Sequence, residues 1–118
     1  MKLGQVILYV SDMSQSVAFY RYKLGLTIQY PHVDDYSDQP WVAIDAGGMN
    51  IGLHEGGSEV TTKTSPALTF FVEDCAAAVE SLRAKGIEMS EPHSPHPGIT
   101  IANGQDPDGN VFFVHQNG

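Results

Sequence analysis

Most of the acid–base and metal-binding chemistry open to this chain rests on five histidines and one cysteine in 118 residues. His54 and His115 each close a candidate strand, Met49-Asn-Ile-Gly-Leu-His54 and Val111-Phe-Phe-Val-His115. An imidazole placed at a strand end can move a proton, accept a hydrogen bond or ligate a divalent ion near neutral pH. His93 and His96 stand three apart in a proline-broken loop rather than on a helix, so their spacing does not align two imidazoles on one face. They read as an exposed loop, with metal binding the lesser alternative. His32 opens Pro31 to Pro40, a stretch rich in Asp and Tyr that reads either as a lid near a pocket mouth or as an ordinary surface loop. Cys75 follows a candidate helix cap, Asp74, and a helix N-terminus lowers a thiol pKa. Cys75 also falls on an apolar helical stripe, which favours a buried, inert thiol. The sequence holds no Gly-rich phosphate loop and no Gly-x-Ser-x-Gly elbow.

The elements that must position these residues come in two copies. Residues 6–25, Val-Ile-Leu-Tyr-Val-Ser-Asp-Met-Ser-Gln-Ser-Val-Ala-Phe-Tyr-Arg-Tyr-Lys-Leu-Gly, slide onto residues 68–86, Leu-Thr-Phe-Phe-Val-Glu-Asp-Cys-Ala-Ala-Ala-Val-Glu-Ser-Leu-Arg-Ala-Lys-Gly. An offset of 62 pairs Val10 with Val72, Asp12 with Asp74, Val17 with Val79 and Arg21 with Arg83. Each copy opens with a β-branched and aromatic run (Val6 to Val10; Leu68 to Val72), which predicts a strand. An Asp then caps a helix whose apolar positions recur at helical spacing: Met13, Val17, Tyr20 and Leu24, then Cys75, Val79 and Leu82. Gly25 and Gly86 stop the helices. Strands are predicted at Leu26–Tyr30, Trp41–Asp45 and Met49–His54 in the first copy, with Ala46-Gly47-Gly48 as a hairpin turn. In the second copy they fall at Ile87–Ser90, Gly98–Asn103 and Val111–His115, with Asp106-Pro-Asp-Gly-Asn110 as a turn. The Gly-, Ser- and Thr-rich stretch from Glu55 to Pro66 reads as a linker. One domain of two βαβββ modules results: module 1 at about 1–55, linker about 56–66, module 2 about 67–118.

Composition excludes several functions. Six Lys and Arg against fourteen Asp and Glu give a net charge of −8, and phosphate backbones require clustered positive charge, so nucleic acid is not an expected partner. An acidic surface suits cationic small molecules, although most acidic proteins are merely soluble. No apolar run reaches the ~18 residues of a membrane span. The opening Met-Lys-Leu-Gly-Gln runs straight into a strand pattern, so no signal peptide is expected; with a single cysteine this points to the cytoplasm.

Three segments, Val6 to Leu26, Leu68 to Gly86, and Asp106-Pro-Asp-Gly-Asn110 with the following Val-Phe-Phe-Val, resemble the vicinal oxygen chelate superfamily of glyoxalase I, bleomycin-resistance proteins, fosfomycin-resistance enzymes and extradiol dioxygenases. The resemblance covers nearly the whole chain. It implies an α+β fold of tandem βαβββ modules, whose curled mixed sheets of four strands each enclose a concave site, often in a homodimer. It also implies a divalent ion held by His, Glu or Gln from the first and fourth strands of each module. Carried over residue by residue, those positions are Gln5, Gly52, Ala67 and Phe113. Only Gln5 offers a donor, and a divalent ion needs several at ~2.0–2.6 Å, so the usual metal site is expected to be lost.

His54 and His115 lie two residues beyond Gly52 and Phe113, and side chains two apart share a strand face. A displaced ion held by Gln5, His54 and His115 is therefore one alternative. A metal-free pair of histidines doing acid–base work is another. Alternation also assigns Gln5, Ile7, Tyr9, Thr69 and Phe71 to the pocket, joined by Trp41, His54, Phe113 and His115, an apolar lining with few polar groups. The other face, Val6, Leu8, Val10, Leu68, Phe70 and Val72, packs under the helices. The favoured function is a small-molecule binder without the family's usual metal. The alternatives are a metal-dependent lyase, transferase or dioxygenase at the displaced site, and a metal-free isomerase-type enzyme using His54 and His115.

Overall fold

Repetition of the same local grammar produces two sheets. The computed structural model describes residues 4–56, 67–95 and 97–118. The chain divides into two units, Met1–Ser65 and Pro66–Gly118. The expected linker lies almost wholly outside the described residues, as does His96.

In the first unit, β1 (Gln5–Val10) leads into α1 (Met13–Ala18), followed by β2 (Thr27–Tyr30), β3 (Trp41–Asp45) and β4 (Asn50–Glu55). The four strands form one sheet in the order β1-β4-β3-β2. β1 runs parallel to β4, and the other neighbours are antiparallel. Asp12 caps α1 by accepting the Gln15 N–H at 3.0 Å. Expected to run on to Leu24, the helix instead loosens over Phe19–Lys23 into a π-helical turn, where the Leu24 N–H reaches back five residues to the Phe19 carbonyl at 3.0 Å. Met13, Val17 and Tyr20 are buried as their spacing predicts. They belong to the unit's core with Leu8, Val10, Ile28, Val42, Ile44, Ile51 and Leu53, the inward set of the alternating strands. Tyr36 pins the connection from Pro31 to Pro40: it is buried, and its hydroxyl donates to the Pro31 carbonyl at 2.8 Å.

The second unit has β5 (Leu68–Phe71), α2 (Cys75–Ala84), β6 (Ile99–Gln105) and β7 (Val111–Asn117). Its sheet is β5-β7-β6, with β5 parallel to β7 and β6 antiparallel to it. Asp74 caps α2 through the Ala77 N–H at 3.1 Å, matching Asp12 even in backbone angles: φ −136, ψ 105 against φ −136, ψ 102. The Gln116 carboxamide accepts the Cys75 N–H at 2.7 Å, tying β7 to the first turn of α2. The Asp106–Asn110 turn closes on a buried carboxylate, since Asp106 accepts the N–H groups of Asp108 and Asn110 and the Asn110 side-chain amide at 2.8–2.9 Å. Gly109 supplies the positive φ of 84° that this turn requires.

One expected strand does not form. Ile87–Ser90 runs beside β6, and the Ser90 N–H donates to the Asn103 carbonyl, but no continuous ladder develops and this sheet has three strands. The bond that would return from β6 is diverted: the Asn103 N–H donates to the Ser90 hydroxyl at 2.9 Å rather than to the Ser90 carbonyl. The Arg83 guanidinium donates to the carbonyls of Met89 and Ser90 at 2.9 and 3.4 Å and ion-pairs with Glu91 at 2.8 Å, and Pro92 brings no N–H of its own.

Candidate functional site

Alternation in β1 leaves Gln5, Ile7 and Tyr9 exposed, with Leu8 and Val10 buried. Register extends that exposed face into cross-strand rows. Gln5 pairs with Asn50 and Asn50 with Asp45; Ile7 pairs with Gly52 and Gly52 with Ala43; Tyr9 pairs with His54 and His54 with Trp41. The face thus grades from a polar row, through a row of small and aliphatic groups, to an aromatic row. A bulge in β2 brings Tyr30, 64% exposed, opposite Ala43, at the end of the middle row.

The aromatic row is in contact along its length. The Tyr9 and His54 ring centroids are 5.2 Å apart, and those of Trp41 and His54 are 6.2 Å apart in an edge-on arrangement. His54 Nδ1 lies 2.8 Å from the Glu55 carbonyl oxygen. A carbonyl only accepts, so Nδ1 donates in this contact. The Trp41 indole leans out of its row into the next: a Cβ built on Gly52 would lie 2.0 Å from its Cη2 and 2.6 Å from its Cζ3. Gly52 is buried because the indole covers it.

The second unit carries a reduced version. Thr69 and Phe71 are exposed on β5, and Phe71 pairs with His115, its ring 5.0 Å away and edge-on. Phe113 is half-buried between Thr69 and Asn103, and Ile101 stands opposite His115 where the first unit has Trp41 opposite His54. His115 Nε2 donates to Asn117 Oδ1 at 2.9 Å.

The residues at the metal-ligand positions do not fit a divalent ion. Gln5 is exposed with one carboxamide; Gly52 has no side chain and lies under an indole; Ala67 and Phe113 bring only carbon. The displaced arrangement is also disfavoured. Gln5 and His54 stand four residues apart along the sheet, roughly 13 Å at ~3.3 Å per residue, so one ion would need both side chains laid flat over Ile7 and the indole. Among the described residues, no three His, Cys, Asp or Glu side chains are grouped to hold a metal.

An open cavity of about 420 Å³ lies elsewhere in the first unit, beside the start of α1 and the Ser37–Pro40 segment. Asp12, Asp38 and Glu55 line it, Asp12 already serves as the helix cap, and no aromatic side chain takes part. A ligand there would gain little apolar burial. Cys75 is fully buried, and burial foremost, with the Asp74 charge adding to it, pushes its thiol pKa up.

The sequence places Trp41 at a strand start and in the expected pocket lining, but not against any particular partner. Its seat over Gly52, and the return of Tyr30 to the same face, come from register. A bare glycine inside a strand is the signal that pointed there, because it marks close approach of another group.

The Glyoxalase/Bleomycin resistance protein/Dioxygenase superfamily model matches residues 2–114. An uncharacterized protein of Bacillus subtilis (strain 168), YraH, is 28% identical, with 98% of each chain aligned. Two solved structures are similar in fold. A putative glyoxalase family protein from Bacillus anthracis has a TM-score of 0.80 at 17% identity, covering 100% of this chain and 96% of that one. TnmS3, an antibiotic binding protein from Streptomyces sp. CB03234, has a TM-score of 0.81 at 20% identity, covering 100% and 97%. With the family model matched across almost its entire length, the chain belongs to the Glyoxalase/Bleomycin resistance protein/Dioxygenase superfamily.

Proposed function

We propose that this chain is a metal-independent small-molecule-binding member of the superfamily. The observation that carries the reading is the fate of the Gly52 position. Where the resemblance implies a ligand donor, the backbone is bare and the Trp41 indole fills the room a donor would need. Ala67 and Phe113 withhold donors as well. Without an ion, a developing enediolate or catecholate would lose its main electrostatic stabiliser, so glyoxalase and extradiol turnover are not expected. An exposed aromatic face with a few acceptors suits a bound organic molecule instead. That TnmS3 is an antibiotic binding protein indicates that the same fold serves binding without requiring the reading to extend to antibiotics here.

Elemental analysis of protein purified without chelators tests this. The expected result is far less than one transition metal per chain, with ligand binding unchanged by EDTA. One stoichiometric ion per chain that is lost in His54→Ala or His115→Ala would overturn the reading and restore the displaced-metal enzyme.

A further inference from the structure

We propose that the Trp41 indole, seated over Gly52 with Tyr9 and His54 alongside, is the recognition platform of the site, and that it takes a planar organic cation. The inference rests on the metal-independent binding reading and narrows it to one face, one residue and one ligand class.

The platform is built rather than incidental. Gly52 is the only residue type that admits an indole so close: a methyl there would fall 2.0–2.8 Å from three ring carbons. Ala43, the cross-strand partner of Gly52, is also small and buried. Both neighbours keep the floor low, so the outer edge of the indole's six-membered ring reaches over the bare backbone while Trp41 remains half-exposed. Tyr9, 54% exposed, and His54 wall one side, and Tyr30 stands at the end of the middle row. A flat ring stacking on the indole meets edges on more than one side.

Charge then selects among flat rings. Ring faces carry negative potential, and indole attracts cations best. The described basic residues of this unit, Arg21 and Lys23, lie in the π-helical turn and not on the sheet. Asp45 lies in the polar row of the same face, four residues along β3 from Trp41, and the chain carries −8 overall. No described Lys or Arg stands on the strands of this face. An anionic ring would meet the π-face and the net charge as repulsion.

The chain's single tryptophan makes the test direct, because its emission reports Trp41 alone. The full chain is titrated with N-methylquinolinium, with 2-naphthalenemethanol as the neutral isostere and 2-naphthalenesulfonate as the anion. Calorimetry is run in parallel, with and without EDTA. The expected result is saturable quenching by the cation, at about tenfold or better affinity than the anion and unchanged by EDTA. Calorimetric affinity for the cation falls about tenfold in Trp41→Leu and several-fold in Tyr9→Leu, a substitution at an exposed position that leaves the fold intact by circular dichroism. Unsaturable quenching, equal affinity for anion and cation, or wild-type binding by both variants overturns the platform and leaves the metal-independent reading standing. Cation binding abolished by EDTA and restored by a divalent ion overturns that reading instead.

Discussion

Gly52→Ala puts the packing of the first sheet to a quantitative test. The new Cβ would lie 2.0, 2.6 and 2.8 Å from Trp41 Cη2, Cζ3 and Cζ2, where ordinary carbon contacts sit at about 3.5–4.0 Å. Gly52 is in a regular strand without a positive φ, so the backbone itself accepts alanine. The indole must therefore swing outward by about 1.5 Å or more. Lifting the indole off the bare backbone returns of order 60–80 Å² of apolar surface to water, about 2 kcal/mol at ~25 cal/mol per Å². Replacing a strand glycine by alanine recovers about 0.5–1 kcal/mol of backbone entropy. The net cost is about 1 kcal/mol, which lowers a urea midpoint by about 0.5–1 M for a typical slope. In a Trp41→Ala background the clash is gone, so the same substitution becomes stabilising by about 0.5–1 kcal/mol. The coupling energy in the double-mutant cycle is then about 2 kcal/mol. Urea denaturation of the four proteins measures it, and tryptophan emission shifts to the red in Gly52→Ala as the indole meets water. Additive effects, or a Gly52→Ala protein with unchanged emission and raised stability, would refute the seated indole.

Two other outcomes follow from buried groups in the second unit. Asp106→Ala strips the turn of the carboxylate that takes three N–H donors, two backbone and one from Asn110, and is expected to cost about 2–4 kcal/mol. Asp106→Asn keeps the backbone-facing oxygen and should cost distinctly less; thermal or urea melts that show both as mild as Asp34→Ala would contradict the arrangement. Cys75 should resist iodoacetamide in the folded protein and react on unfolding, because its thiol is buried with a raised pKa. The unfolded thiol ionises above about pH 8.5 while the folded one stays protonated, so the unfolded state binds fewer protons there and stability falls as pH rises. Below that pH Cys75 adds no slope; melts at pH 7 and 9.5 on wild type and Cys75→Ala separate its share.

The sequence alone specified the elements because each is built from local rules that repeat. Asp12 and Asp74 sit where a carboxylate meets orphan amides of the first helical turn, and alternation in Val6–Val10 divides core from surface without reference to anything distant. The superfamily was legible for the same reason: its marks are short segments, not contacts. That Gly52, Ala67 and Phe113 bring no donor was legible too, since glycine, alanine and phenylalanine lack one wherever they point.

Tertiary structure decided the rest. At Ile87–Ser90 the Ser90 hydroxyl takes the Asn103 N–H that a ladder would return to the Ser90 carbonyl, a competition between a side chain and a ladder that strand propensity does not register. The distance between Gln5 and His54 followed from the β1–β4 register, because a strand carries no information about which residue of another strand it will face. Trp41 over Gly52 is the clearest instance. A sequence shows a tryptophan and a glycine eleven residues apart; only pairing of β3 with β4, and the rotamer chosen there, sets a ring carbon where a side chain would otherwise stand.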